Sequence, residues 1–79
     1  MATADKEFQN AVIAEFEAER EKRGISYREL ERRTGINTGT LSKWIKGGTE
    51  MRVQALYELC QAIGVDIFVI TKRAQDRLK

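Results

Sequence analysis

Asn37, Thr38, Ser42 and Lys43 bring an amide, two hydroxyls and an ammonium into a stretch of seven residues. Apart from the lysine charge these are neutral donors and acceptors, suited to hydrogen bonding with the edge of a ligand rather than to moving protons. Leu41, Trp44 and Ile45 follow i, i+3, i+4, so on a helix they turn inward and leave Thr38, Gly39, Thr40, Ser42 and Lys43 outside. A lysine so placed can donate to guanine N7 and O6, and a threonine can offer its hydroxyl to a polar base edge or its methyl to thymine. Asn37 can cap the helix, contact a base, or do both. Gly39 has no side chain to offer, so its use would be close approach of the backbone, against about 1 kcal/mol of lost helix propensity.

Other chemistries are poorly provided for. The chain has no histidine, which removes the commonest general base and metal ligand. Its single cysteine, Cys60, can build neither an internal disulfide nor a zinc site, and it falls on an apolar helical stripe. No phosphate-cradling glycine pattern follows a strand. The many glutamates could pair by chance, but 79 residues leave little room for a dry pocket that would tune them. No enzymatic activity, metal or cofactor is expected.

The elements that must position these groups are marked by caps. Ser26 followed by Glu29 is a capping box, with Ile25 and Leu30 as a hydrophobic staple. The grammar repeats after Gly35, where Asn37 caps and Ile36 staples against Leu41. Two helices, Ser26 to Thr34 and Asn37 to Lys46, therefore meet across a turn of about three residues, the spacing of a helix-turn-helix.

Ile25, Ser26, Leu30, Gly35-Ile36-Asn37, Leu41, Trp44-Ile45 and Gly47 resemble the pattern of the lambda-repressor-like, Cro-repressor-type domains of the XRE family. The resemblance covers roughly residues 7 to 65. It implies a mainly α fold of four to five helices, with Asn37, Thr38, Gly39, Ser42 and Lys43 reading bases in double-stranded DNA. It departs at two places. Members carry a small alanine where this chain has Glu31, and commonly glutamine, a phosphate contact, where it has Tyr27.

Charge supports the same surface. Net charge is only +2, but residues 22 to 47 hold seven basic and two acidic groups, whereas residues 1 to 21 hold two and six. A basic middle behind an acidic first helix suits a phosphate-facing surface with a solvated back, although ordinary solvated helix faces look the same. Phosphate contacts are expected from the start of the second helix, from Tyr27 and Arg28, and from Lys46, Thr49 and Arg52 around the loop after the third. Alternatives stand beside these: Arg32 and Arg33 can pair with Glu29, Tyr27 can pack on the first helix, and Trp44 can be core rather than a stacking platform.

The whole chain, 1–79, reads as one domain with its helix-turn-helix unit at about 26–46. A first helix from about Asp5 to Arg23 presents Phe8, Ala11, Val12 and Phe16, leaves most of Glu15, Glu17, Glu19 and Glu21 outside, and ends at Gly24. Thr49 can cap a fourth helix bearing Leu56, Leu59, Cys60 and Ile63, closed by Gly64. Residues 65–71 then change period. Their β-branched and aromatic alternation predicts a short strand, and a lone strand needs a partner. Antiparallel pairing of Asp66, Ile67, Phe68, Val69 and Ile70 with a second copy would make a homodimer; otherwise the fourth helix continues or the tail folds back on the core.

Two functions fit. One is a phage or prokaryotic repressor, a homodimer on an inverted-repeat operator with half-sites about 34 Å apart. The other is a partner-binding antitoxin whose acidic first helix or C-terminal segment holds a toxin and whose DNA binding is autoregulatory. The lone cysteine and the lack of a secretory or membrane-length apolar stretch point to the cytoplasm, with attachment to the nucleoid through DNA.

Overall fold

The computed structural model describes residues 2–47 and 50–79, and among these every regular element is a helix. α1 spans Ala2–Lys22, α2 Tyr27–Thr34, α3 Thr38–Ile45, α4 Val53–Ile63 and α5 Ile67–Arg77. One core draws on all five: Ala11, Val12 and Phe16 from α1, Leu30 from α2, Leu41 from α3, Leu56, Leu59, Cys60 and Ile63 from α4, and Ile70 and Ala74 from α5. Burying each large aliphatic or aromatic side chain among these contributes about 1.5–3 kcal/mol. The most extensive helix pair is α1 with α5. On α1 the core face differs from what the i, i+4 spacing predicts: Phe8 stays 40% exposed, while Ile13 is buried.

A charged cluster fastens the same helices. Glu19 is the one buried charged residue among those described, at 6% exposure. Its Oε1 accepts from Arg73 Nη1 of α5 at 2.9 Å, and its Oε2 accepts from Arg23 Nε at 3.0 Å. Arg23 Nη1 in turn donates to the carbonyls of Ile63 and Gly64 at the end of α4, at 2.9 and 3.2 Å. Those carbonyls lack intrahelical partners, so the guanidinium caps α4 while holding Glu19. The hydrogen bond from Arg73, then that from Arg23, holds the Glu19 carboxyl below the usual carboxylate range. The expectation that Glu19 lies outside the apolar stripe is thus corrected: these two arginines satisfy its carboxylate within the fold.

The strand expected at 65–71 is a helix. Gly64, with φ of 84°, closes α4; its N–H donates to Gln61 O at 3.1 Å and the Val65 N–H to Cys60 O at 3.0 Å, a Schellman arrangement. Asp66 then caps α5, its Oδ1 accepting from the Phe68 N–H at 2.8 Å. Ile67, Ile70 and Ala74 recur at i, i+3, i+7; Ile70 and Ala74 are fully buried and Ile67 is half-buried against the core. Burial on this stripe, with every backbone group satisfied inside the helix, outweighs the β preference of the individual residues. The ladder of Asp66 to Ile70 with a second copy is therefore overturned: Ile70 belongs to its own core, Asp66 is an exposed cap, Val69 is half-buried, and Phe68 is the one apolar residue of the five that is well exposed, at 71%. α4 begins at Val53, where Arg52 occupies the capping position without a side-chain bond. Thr49, the expected cap, lies outside the described residues.

Helical placement makes Ile70→Ala costly, by about 2–4 kcal/mol of unfolding free energy in a denaturant titration. Phe68→Ala should stay within about 0.5 kcal/mol of the parent. Equal losses at both positions would argue for the strand. A second expectation concerns acid. A carboxyl whose folded pKa lies below its unfolded value contributes stability above the unfolded pKa and loses it as pH falls through the folded one. Glu19→Gln should therefore lower the thermal midpoint at neutral pH and flatten its decline on acidification below about pH 5.

Candidate nucleic-acid interface

The first turn of α2 is set by Ser26, whose Oγ accepts from the Glu29 N–H at 3.1 Å. Only this half of the predicted capping box forms. The Glu29 carboxylate accepts instead from Arg32 and, at 2.8 Å, from Arg33 Nε. Arg33 Nη1 goes on to donate to Ala62 O in the last turn of α4, at 2.6 Å. Arg32 and Arg33 are thus structural, the alternative weighed for them above. Tyr27 is also committed: its hydroxyl donates to Glu17 Oε1 of α1 at 2.6 Å, and Arg20 lies 4.4 Å above its ring centroid. Burial and the Glu17 bond push the phenol up to about 12. In this geometry it ties α2 to α1 and has no proton left for a phosphate.

The turn between α2 and α3 depends on Gly35, whose φ of 78° suits glycine and whose N–H donates to Glu31 O at 2.7 Å. Thr34 Oγ1 donates to Leu30 O at 2.8 Å and accepts from the Ile36 N–H at 3.1 Å, fixing the chain as it leaves α2. Asn37 caps α3 as predicted, its Oδ1 accepting from the Gly39 N–H at 2.6 Å. A Cβ on residue 39 would stand 2.8 Å from that oxygen. Gly39 therefore has a reason internal to the fold: it gives the cap room.

On α3, Leu41 is fully buried and Trp44 packs half-buried against the core. Gly39, Thr40, Lys43 and Lys46 are exposed, and successive offsets of one, three and three put them on one face. Ser42 borders that face half-buried, Asn37 is exposed before it, and Thr38 is half-buried toward α2. Arg28 is exposed on the first turn of α2 and Arg52 ahead of α4. Thr49 lies outside the described residues.

The disposition of positive charge is selective. Arg20, Lys22, Arg23, Arg32, Arg33, Lys72, Arg73, Arg77 and Lys79 each lie within ion-pair distance of a carboxylate. Among the described side chains the cations left without an acid are Arg28, Lys43, Lys46 and Arg52, all exposed and all in or beside the helix-turn-helix. The acidic face of α1 is spent in the same bookkeeping, with Glu15 on Arg77, Glu17 on Arg20 and Tyr27, and Glu19 on Arg23 and Arg73. Two contributors escaped the sequence reading. Glu31 donates nothing to the surface charge pairs but accepts from the Thr38 N–H at 3.1 Å, and Arg23 caps α4 forty residues away. Both are contacts between helices, for which local spacing carries no signal.

Chemistry of other kinds finds little footing. Burial and the charge of Asp66 push the Cys60 thiol up to about 11, so it is held as a thiol inside the core. Among the described residues no three His, Cys, Asp or Glu side chains converge as a metal would need. No single helix there is long and apolar enough to cross a membrane.

Comparison with known proteins agrees with the geometry. The family model described as helix-turn-helix matches residues 16–70. No curated protein matches the chain. Among solved structures, an XRE-family like protein from Pseudomonas syringae pv. tomato str. DC3000 is similar, with 20% identity, 99% of this chain and 95% of that chain covered, and a TM-score of 0.87. That likeness bears on the fold; the family match spans most of the chain, including the α2–Gly35–α3 unit. This chain belongs to the XRE-type helix-turn-helix family of DNA-binding regulators.

Proposed function

We propose that this regulator binds double-stranded DNA sequence-specifically as a homodimer on an inverted repeat, and represses by excluding polymerase from the bound site. The observation that carries the reading is the coincidence of the unpaired cations with the helix-turn-helix. A chain that pairs most of its described arginines and lysines with its own acids leaves Arg28, Lys43, Lys46 and Arg52 open on the surface that would meet a polyanion. Asn37, Thr38, Gly39, Ser42 and Lys43 read the major groove from α3, with Lys43 the main base contact and Thr40 beside it on the same exposed face. Arg28, Lys46, Thr49 and Arg52 hold the flanking phosphates. Two copies related by a two-fold axis set half-sites about one helical turn, or about 34 Å, apart. The α5 segment supplies no strand ladder for that dimer, so its contact is of another kind. The antitoxin alternative draws less support, since the acidic stretch Glu15 to Glu21 that would hold a basic partner is mostly consumed within the fold.

The test is selection from a randomised duplex pool with the purified chain, followed by titration of the enriched duplex and an unrelated one. An inverted repeat should emerge. Lys43→Ala should then weaken the selected site by about 1–3 kcal/mol relative to the unrelated duplex. Alanine at Arg28, Lys46 or Arg52 should weaken both duplexes alike and reduce the salt slope by about 1 each per monomer. Tyr27→Phe, whose hydroxyl is already held by Glu17, should leave the affinity of the folded protein within about threefold. Failure to enrich any sequence, or affinity indifferent to salt, would defeat the reading.

A further inference from the structure

The N–H groups that open α3 have no carbonyl behind them in the helix, and two are met by side chains of this chain. Asn37, next to the helix, takes Gly39; Glu31, from the facing side of α2, takes Thr38. The second contact differs in kind, because it joins two helices and because it brings a charge. No arginine or lysine among the described residues pairs with Glu31, although Arg28 and Arg32 line the same shallow, open depression beside it. An acid left without a cation, in a chain that pairs most of its charges, stands at the start of the helix that faces DNA.

We propose that Glu31 is a positioning and selectivity residue of the interface. As a strut from α2 it fixes the stance of the first turn of α3, where Thr38 sits half-buried against it. A negative charge also stabilises a helix N-terminus through the aligned peptide dipoles, so the strut and the helix reinforce each other. The second effect rests on the DNA-binding reading above. The carboxylate occupies the N–H that a phosphate would otherwise take, and it repels the backbone of any duplex regardless of sequence. That repulsion weakens the selected and the unrelated duplex alike; the selectivity comes from the strut, which holds α3 in the stance from which Lys43 and its neighbours meet base edges. Glu31 would then lower affinity for any duplex through its charge and raise the ratio of specific to non-specific binding through the stance it gives α3.

Two variants separate the roles, since Glu31→Gln keeps an acceptor and loses the charge, whereas Glu31→Ala loses both. The first readout is amide hydrogen exchange in the free protein, with Gly39, capped by Asn37, as internal reference. Thr38 should exchange at least about fivefold faster relative to Gly39 in Glu31→Ala and near the parent rate in Glu31→Gln. Unchanged Thr38 protection in Glu31→Ala overturns the strut. The second readout is affinity at low salt for a duplex selected by the parent and for an unrelated one. Glu31→Gln should tighten both duplexes alike, by roughly threefold to tenfold and less as salt is raised, whereas Glu31→Ala should lower the ratio of selected to unrelated affinity by at least about threefold. Equal affinity of parent and Glu31→Gln for the unrelated duplex overturns the repulsion, and an unchanged ratio in Glu31→Ala overturns the selectivity role. If the parent binds no duplex at all, the DNA-binding reading and the selectivity role fall together, while the exchange result still decides the strut.

Discussion

The contact on which the rest of this molecule stands is the buried carboxylate of Glu19 with Arg23 and Arg73. It sits where α1, the end of α4 and α5 come together, and one charge serves all three. Arg73 reaches it from α5, and Arg23 carries the link on to the Ile63 and Gly64 carbonyls. A buried carboxylate is tolerable only when its oxygens are met, and here each oxygen has a guanidinium. With 79 residues the apolar core is small, so a charged clasp that orients three helices at once does much to make their arrangement unique.

The DNA-facing unit is hung on that frame in series. Tyr27 ties α2 to α1 through Glu17, and Arg33 ties α2 to the last turn of α4 through Ala62. α3 is then hung on α2 by Leu41 in the core, by the Gly35 turn, and by Glu31 on the Thr38 N–H. The exposed face of Gly39, Thr40, Lys43 and Lys46 thus inherits its position from contacts that none of those residues makes. Arginine supplies most of these ties because its planar, always-charged fork can hold a carboxylate and a helix-terminal carbonyl together. Among the described residues lysine makes none of the ties between helices, and Lys43 and Lys46 stand instead on the exposed face of the helix-turn-helix.

Pairing cations inside the fold also gives the surface its contrast. A net charge of +2 conceals an arrangement in which most basic groups face acids of the same chain. Among the described side chains, the cations that remain uncompensated are confined to the helix-turn-helix and its flanks. The field that a duplex meets is accordingly local and directional, although the molecule as a whole is close to neutral.

Much of this was written in local spacing. Ser26, Gly35, Asn37 and Gly64 act where their types demand, because caps and left-handed turns are settled within a few residues of chain. The i, i+3, i+4 stripe of Leu41, Trp44 and Ile45 left Lys43 outside for the same reason. What lay beyond reach was whatever depends on a distant element. Residues 65–71 favour a strand by composition, yet the α1 surface offers Ile70 and Ala74 a place to bury on a helical repeat, and a cap at Asp66 starts that helix. The partners of Tyr27, Arg33 and Glu31 were settled only when separate helices were brought together around them. The sequence by itself determined the helix-turn-helix, its caps and the residues on its outer face, since these follow from short-range geometry. Only the tertiary structure decided which of the described charges are spent inside the fold and which stay exposed without an acidic partner, because pairing between helices is a matter of distance in space.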